Sequence, residues 1–265
     1  MKIGMLITAR LKSSRLPLKL LAYIQGKRVI DHVVERCKAV SLVDQVILCT
    51  SPNPQDAPLV NAAYDHHIHY FLGDPDDVLK RLYDAACFYR LDYILSITAD
   101  DLFFSVEYAN RFANQALLTK PDYMYTEGLP LGVGIYGISY EALKSVIEFK
   151  NRTDTEIWGY WFNHPDLFRI HTFQARKEES RKVRLTLDTE EDLAFFQKIE
   201  PLLRPEDGMS YPALLRAIDK LPEEAFVNQH IVQLNLPSEA IEAIKSHYQQ
   251  ERNQFLRIKA ANDKR

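Results

Sequence analysis

The sequence is poor in the features that mark membrane, secreted and nucleic-acid-binding proteins. It has only three cysteines, and this odd number without a C-x-x-C pair favours reduced thiols over a disulfide framework. No apolar run approaches the roughly 20 residues that a membrane helix needs, and the N-terminus shows no small-residue cleavage site. The net charge of −3 argues against a surface that binds nucleic acid by bulk positive charge. We therefore expect a cytoplasmic protein whose partners are neither a nucleic acid nor a membrane.

The sequence also lacks the motif G-x-x-x-x-G-K-[ST], by which many proteins hold phosphates. It has instead a cationic segment, residues 8–19, directly after the strand-like residues 3–7. Within ten residues this segment holds four cations and two hydroxyls, namely Arg10, Lys12, Ser13, Ser14, Arg15 and Lys19. A polar turn at the carboxyl end of a strand lies where open α/β sheets bind ligands, and its N–H groups and arginine forks suit phosphates. The segment predicts an anion-binding loop, with a solvated basic loop as the alternative.

Short apolar runs alternate with longer amphipathic runs over the first 120 residues. The predicted strands are residues 3–7, 45–50, 68–71 and 93–97, and the predicted helices are residues 29–39, 57–64, 76–90 and 106–118. Such alternation is typical of an α/β fold with a mostly parallel central sheet flanked by helices. In the third helix the apolar residues recur at i, i+3 and i+4, and Asp76 is the expected N-cap.

The pattern changes further along the chain. Residues 122–139 are interrupted by glycine and proline, which favours loop and strand and can form one wall of a pocket. Residues 153–163 predict a capped helix rich in aromatic side chains, followed by strands at 168–173 and 183–187 and a helix at 190–199. Beyond Pro201 helix-forming residues dominate. We expect a main domain of residues 1–200 and a helical C-terminal appendage of residues 201–265.

Carboxylates follow two of the predicted strands. Asp100 and Asp101 come after residues 93–97, and Asp188 comes after residues 183–187. Carboxylate oxygens at the carboxyl ends of strands can hold Mg²⁺ against phosphates. The alternative is a helix cap, for which Asp101 would precede the helix at 106–118 and Asp188 the helix at 190–199.

Four motifs occur in a recognisable order. They are R-x-x-S-S-R-L-P-x-K at 10–19, F-L-G-D-P-D-D-V-L at 71–79, I-T-A-D-D at 97–101 and R-L-T-L-D-T-E-E-D at 184–192. They resemble the signatures of the cytidylyltransferases that make CMP-activated acidic sugars. These are the CMP-KDO and CMP-sialic acid synthetases and, with the greatest likeness, the branch of the spore coat polysaccharide biosynthesis protein F.

The resemblance implies a Rossmann-like nucleotidyltransferase fold. It implies transfer of CMP from CTP to an acidic sugar, such as a KDO- or sialic-acid-like compound, with Mg²⁺ as cofactor and pyrophosphate as product, in surface polysaccharide or glycoconjugate biosynthesis. It assigns catalysis to Arg10, Lys19 and Asp100, and the metal to Asp100 and Asp188. The nucleotide-binding residues that it implies are Ala9, Arg10, Ser13, Ser14, Arg15, Lys19, Gly73 and Asp77.

Related synthetases are dimeric, and we expect a homodimer here too. The aromatic segment 153–163 is the expected interface, because Trp158, Trp161 and Phe162 cannot all face the interior of one amphipathic helix. The apolar stripe of residues 238–261 is the next candidate.

Departures from the family pattern cluster in the acceptor wall and the approach to the nucleotide. Gly134 and Tyr136 stand near the positions at which the branch has an aspartate and a glutamate. Lys12, Leu72 and Leu102 replace a glycine, an arginine and a proline. Two alternatives therefore stay open: nucleotidyl transfer to a phosphate- or phosphonate-bearing acceptor, and a nucleotide-binding protein without catalysis.

Overall fold

A seven-stranded sheet forms the centre of the protein in a computed structural model, which describes residues 1–203 and 209–264. The strands are β1 (Ile3–Thr8), β2 (Tyr23–Ile24), β3 (Lys27–Arg28), β4 (Gln45–Thr50), β5 (His69–Leu72), β6 (Tyr93–Thr98), β7 (Tyr123–Glu127), β8 (Tyr136–Ser139) and β9 (Ile170–Gln174). β2 and β3 form a separate hairpin, and the others follow the order β5-β4-β1-β6-β8-β7-β9. β8 runs antiparallel to its neighbours β6 and β7, whereas the other neighbours are parallel. The predicted, mostly parallel sheet is confirmed.

Helices flank both faces of this sheet. Within the described residues the α-helices are α1 (Val29–Lys38), α2 (Ala57–Asp65), α3 (Val78–Tyr89), α4 (Val106–Thr119), α5 (Tyr140–Phe149), α6 (Glu190–Ile199), α7 (Tyr211–Ile218), α8 (Ser238–Gln250) and α9 (Arg252–Asn262). No helix in residues 1–203 or 209–264 is long and apolar enough to span a bilayer.

The central strand β1 separates two hydrophobic cores. All six of its residues are buried, with Met5 and Ile7 in one core and Leu6 in the other. A strand that is covered on both faces needs a continuous apolar run, and residues 3–7 supply one. The carboxyl ends of β1, β4 and β6 consequently meet at one edge, where the polar segments after them are brought together.

The cap of α3 is Asp77, so the expectation that Asp76 caps this helix is wrong. The Asp77 carboxylate accepts the backbone N–H of Lys80 at 3.0 Å. The exposed Asp76 carboxylate instead lies 3.1 Å from the Arg10 guanidinium. The adjacent carboxylates point in different directions, and only Asp77 faces the free N–H groups at the helix start.

Residues 183–187 do not form the predicted strand. Their pairing is limited to an isolated bridge between Leu131 and Arg184 and to the backbone N–H of Leu187, which donates to the carbonyl of Asp100 at 2.9 Å. Gly132 allows the close approach, because it has a φ of +88° and an added Cβ would lie 2.0 Å from the Leu185 carbonyl oxygen. The segment crosses the end of the sheet without a continuous partner strand, and this course carries Asp188 to that edge.

The predicted helix at 153–163 is also wrong, because the structure has only a short 3₁₀ turn there, Gly159–Trp161. The Thr155 hydroxyl donates to Asp77 at 2.8 Å and accepts the Leu79 N–H at 2.9 Å, which ties the segment to the start of α3 in an irregular conformation. The strand predicted at 168–173 is present as β9, shifted by one to two residues.

The aromatic side chains of this segment are buried within the chain. Trp161 is 1% exposed, and its ring lies 6.0 Å from that of Tyr248 on α8. Phe255 on α9 belongs to the same core. The expected dimer contacts through Trp158, Trp161 and Phe162 are therefore not available on the surface, because an irregular segment can turn all three rings inward. The homodimer itself stays a prediction.

The C-terminal helices dock on the main sheet and its helices. The Lys259 ammonium on α9 lies 3.0 Å from the buried Asp122 carboxylate, which also accepts the Arg169 guanidinium at 2.8 Å. Leu214 on α7 is part of the same core as β1. Within residues 209–264 the α-helices are α7, α8 and α9, and residues 226–237 carry none, whereas 204–208 and 265 of the expected appendage lie outside the described residues. The division at residue 200 stays a prediction.

Candidate active site

Lys19 brings together two of the carboxylates that the sequence placed at strand ends. Its ammonium lies 2.7 Å from Asp100 Oδ2 and 2.9 Å from Asp188 Oδ1. It also donates to the Leu187 carbonyl at 2.8 Å. Lys19 is buried, and its backbone position follows Leu18, whose φ of 56° turns the loop back toward the sheet. The predicted loop, the end of β6 and the 183–187 segment therefore converge on one point.

Two arginines also contact the Asp188 carboxylate. Arg15 Nη2 lies 3.1 Å from Asp188 Oδ1, and Arg184 Nη2 lies 2.6 Å from Oδ2. Arg184 is itself held by Asp192 at 2.9 Å. Sequence reasoning did not assign Arg184 to the site, although its place four residues before Asp188 in one motif was a signal for it.

The alternatives in which Asp101 and Asp188 are helix caps are wrong. Thr189 caps α6, with Asp192 completing a capping box, and Ser105 caps α4. Asp188 begins no helix and faces the cationic cluster instead. Its charge is thus available to the site.

Charge and burial shift the pKa values of the three carboxylates at this edge in different directions. Burial alone would raise the pKa of Asp188, but Lys19, Arg15 and Arg184 hold it below its usual value. Burial raises the pKa of Asp100 in spite of its contact with Lys19. Burial and then the charge of Asp100 raise the pKa of Asp101 to about 7.

The ammonium of Lys19 is stabilised in its charged form. Burial alone would lower the pKa of Lys19, but Asp100 and Asp188 outweigh this effect and raise it. A buried cation between two carboxylates can stay charged because both partners contact it directly.

A cavity of about 480 Å³ opens beside the cationic loop. Arg10 forms one wall, where its guanidinium donates to the Pro75 carbonyl and lies 3.2 Å from Glu156. The other lining residues are Lys12, Ser14, Asp76 and Asp154. The charge of Glu156 also contributes to the raised pKa of Asp100. Sequence reasoning did not single out Glu156.

The remaining predicted nucleotide-binding residues shape the loop and the cavity. The N–H of buried Ala9 donates to Cys49 at 3.1 Å, and the Ser13 hydroxyl accepts the Leu16 N–H at 3.3 Å. Gly73 leaves no room for a side chain, because an added Cβ would lie 2.8 Å from Arg81 Cγ. The Asp77 carboxylate accepts the Thr155 hydroxyl and pairs with the Lys150 ammonium. Ala9, Gly73 and Asp77 thus hold the backbone around the cavity, and their contact with a nucleotide stays a prediction.

Asp100 and Asp188 fit a divalent cation as an oxygen donor pair. Both carboxylates already face one cation, the Lys19 ammonium. No group of three or more His, Cys, Asp or Glu residues in the described part of the chain is placed to hold a metal. One or two carboxylates, completed by substrate phosphates and water, are typical of Mg²⁺ sites.

Comparison with known proteins shows the family to which the chain belongs. The cytidylyltransferase family profile matches residues 5–220. An uncharacterized protein of Methanocaldococcus jannaschii is 27% identical over 88% of this chain and 97% of its own length. The spore coat polysaccharide biosynthesis protein SpsF of Bacillus subtilis is 24% identical over 83% of this chain and 95% of its own length.

Solved structures share the fold. A cytidylyltransferase from Leptospira borgpetersenii superposes with a TM-score of 0.80 at 22% identity, over 88% of this chain and all of that chain. A CMP:2-keto-3-deoxy-manno-octonic acid synthetase complexed with CTP superposes with a TM-score of 0.58 at 16% identity, over 73% of this chain and 95% of that chain. The nucleotidyltransferase fold and the resemblance carried by the four motifs are confirmed. The chain belongs to the cytidylyltransferase family and is a nucleotidyltransferase.

Proposed function

We propose that this protein transfers CMP from CTP to an acidic sugar, with Mg²⁺ as cofactor and pyrophosphate as the product that leaves. The observation that carries the proposal is the convergence of Asp100 and Asp188 on Lys19, within 2.9 Å, beside the cavity at Arg10. This edge combines cations for a triphosphate with a carboxylate pair for a metal. The relative complexed with CTP and the spore coat polysaccharide relative support the nucleotide and the acidic-sugar context.

The cations of the N-terminal loop are suited to bind the triphosphate. Arg10 borders the cavity, and Arg15 and Lys19 lie on the side of Asp188. Phosphate oxygens entering between them can take over the contacts that Glu156 and Asp188 make with Arg10 and Arg15. Charge-assisted contacts of this kind are strongest where the site is partly buried, as it is at Lys19.

In the chemical step the acceptor hydroxyl loses its proton to solvent water, its oxygen bonds to the α-phosphorus, and the bond from that phosphorus to the bridging oxygen of pyrophosphate breaks. Negative charge builds up on the leaving pyrophosphate, and Lys19 and Arg15 are placed to stabilise it. Asp100 and Asp188 would hold Mg²⁺, which when bound supplies further charge neutralisation and orients the phosphates. Arg184 and Asp192 keep the Asp188 carboxylate in position.

The cysteines support a reducing compartment such as the cytoplasm. Cys37 and Cys49 are buried, Cys87 is exposed, and all three are free thiols. Buried, unpaired thiols are typical of proteins that function where disulfides do not persist.

Pyrophosphate release with a panel of substrates tests the proposal. The wild-type protein should release pyrophosphate from CTP and 3-deoxy-manno-octulosonate or N-acetylneuraminate, and release should need Mg²⁺. Faster release with a sugar phosphate or a phosphonate would assign a different acceptor class. Tight CTP binding without release under any acceptor would contradict the proposed transfer.

A further inference from the structure

Tyr136 on β8 carries an aromatic ring near the edge of the sheet at which the cationic loop begins. Tyr136 is 42% exposed, although Ile138, two residues further along the same face of β8, is fully buried. The Tyr136 ring rests edge to face against Trp158, with 4.8 Å between centroids, and lies parallel to Tyr123 at 6.2 Å. Tyr136 is thus a supported ring with one open side, and not a loose surface residue.

The strand register places this ring close to the ends of β6 and β1. Tyr136 pairs with Ser96, and Thr98 pairs with Thr8 at the end of β1. Paired residues, and residues two apart in a strand, share a face of the sheet. Ser96 precedes Thr98 by two residues. Tyr136 therefore lies on the same face as Thr98, displaced by about 7 Å along the direction of β6. Arg10 follows Thr8 by two residues.

Residues 156–158 connect the cationic loop with the Tyr136 ring. Glu156 contacts Arg10 at 3.2 Å, and Trp158, two residues later, contacts Tyr136. Two residues of chain span at most about 7 Å. Burial and the charge of Asp101 raise the pKa of Tyr136, which keeps its hydroxyl protonated as a hydrogen-bond donor. Within the described chain that hydroxyl makes no hydrogen bond to another residue.

We propose that Tyr136 is the acceptor platform, a specificity-determining residue whose ring stacks on the apolar face of a pyranose sugar acid. This inference rests on the proposed function and names the side chain that would bind the acceptor there. An aromatic ring offers a flat apolar surface to ring C–H groups, and its hydroxyl can donate to a sugar oxygen. Trp158 positions the platform from behind.

Ligand-observed NMR on the full-length protein tests the platform without requiring turnover. The probes are 3-deoxy-manno-octulosonate and N-acetylneuraminate, with open-chain gluconate as the comparison, each in the presence of a non-hydrolysable CTP analogue and Mg²⁺. Saturation should pass to the ring C–H protons of the two cyclic acids and not to gluconate. Absence of binding by both cyclic acids, or equal binding of gluconate, would overturn the proposal.

Variants separate the ring from the rest of the pocket. Tyr136→Leu and Tyr136→Gln should each weaken binding of the cyclic acids about three- to tenfold, and Tyr136→Phe, which keeps the ring and loses only the hydroxyl, should weaken it less than either. CTP affinity should be unchanged in all three, which also reports that they are folded. Tyr64→Leu, at another exposed tyrosine on α2, is the matched control and should have no effect.

The same variants distinguish this inference from the proposed function. Binding of cyclic acids that depends on Tyr136, without pyrophosphate release, would support the platform and contradict the transfer. Pyrophosphate release with an unchanged KM for the sugar acid in both Tyr136→Leu and Tyr136→Gln would support the transfer and overturn the platform.

Discussion

The Arg10 guanidinium lies 3.2 Å from the Glu156 carboxylate, and the two residues are 146 positions apart in the chain. This pair closes one side of the cavity beside the N-terminal loop. The Glu156 carboxylate contacts the guanidinium that the proposed function assigns to phosphate binding, so under that proposal Glu156 competes with the nucleotide for Arg10.

We expect Glu156→Gln to tighten CTP binding about two- to fivefold, since an exposed ion pair contributes up to about 1 kcal/mol. Asp154→Asn is the matched control, because it removes one negative charge from the same cavity without freeing Arg10. Isothermal titration calorimetry measures both. An equal gain in the two variants would attribute the effect to general electrostatics and not to the Arg10 contact.

Arg15→Ala and Lys19→Ala should each weaken CTP binding roughly tenfold to hundredfold, because each loses a charge-assisted contact of about 1.5–3 kcal/mol. Cytidine binding should change much less. The control is Lys27→Ala, whose half-exposed ammonium pairs with Glu35 at 2.8 Å and does not line the cavity. If cytidine and CTP lost affinity equally, the loop would not be the phosphate site.

Asp100→Asn and Asp188→Asn should each raise the Mg²⁺ concentration needed for half-maximal pyrophosphate release, since the amide keeps the shape of the side chain but loses its charge. The double variant should lose less than the sum of the two single effects if both carboxylates hold one ion. Asp76→Asn, a carboxylate that contacts Arg10 and Lys12, serves as control. Fully additive losses would place the two aspartates at separate sites.

Lys259→Met should lower the free energy of unfolding by about 1–3 kcal/mol at neutral pH, because Asp122 loses a buried partner. Burial would raise the pKa of Asp122, but Arg169 and Lys259 hold it below its usual value. The contribution is therefore present above about pH 4, the unfolded pKa, and is lost as the pH falls through the lower folded pKa.

Urea unfolding at pH 7 and pH 3 measures this dependence. The difference between wild type and Lys259→Met should shrink at the lower pH. Lys245→Met, which breaks an exposed pair with Glu242, should change stability by less than about 1 kcal/mol at either pH. A difference of equal size at pH 3 and pH 7 would show that packing of the lysine stem, and not the ion pair, is responsible.

Much of the fold was predictable from local sequence patterns. The apolar run of β1 and the amphipathic helix α3 were predictable because burial on two faces or on one imposes a periodicity that few residues suffice to reveal. The course of residues 183–187 was not predictable, since it depends on Gly132 approaching Leu185 across some 50 residues of chain. The prediction of a helix at residues 153–163 was wrong for a related reason. The Thr155 hydroxyl donates to Asp77, which lies far from it in the sequence.

In the candidate site, too, some residues were predictable from local motifs and others depend on tertiary contacts. Lys19, Asp100 and Asp188 were found because each follows a strand-like run within a recognisable motif, and strand ends meet at one edge of a parallel sheet. Glu156 belongs to no such motif, and its role depends on a contact with Arg10, which is far from it in the sequence. Tyr136 was noticed only as a departure from the family pattern, and its support by Trp158 is a tertiary contact.

Phosphorus NMR of the complete reaction tests the central claim most directly. With CTP, 3-deoxy-manno-octulosonate and Mg²⁺, the wild-type protein should convert the three CTP signals into one phosphodiester signal and pyrophosphate in equal molar amounts. Asp188→Asn should slow this conversion at limiting Mg²⁺. Hydrolysis of CTP without a phosphodiester product, or no conversion with that acid and with N-acetylneuraminate while CTP is bound, would contradict the account.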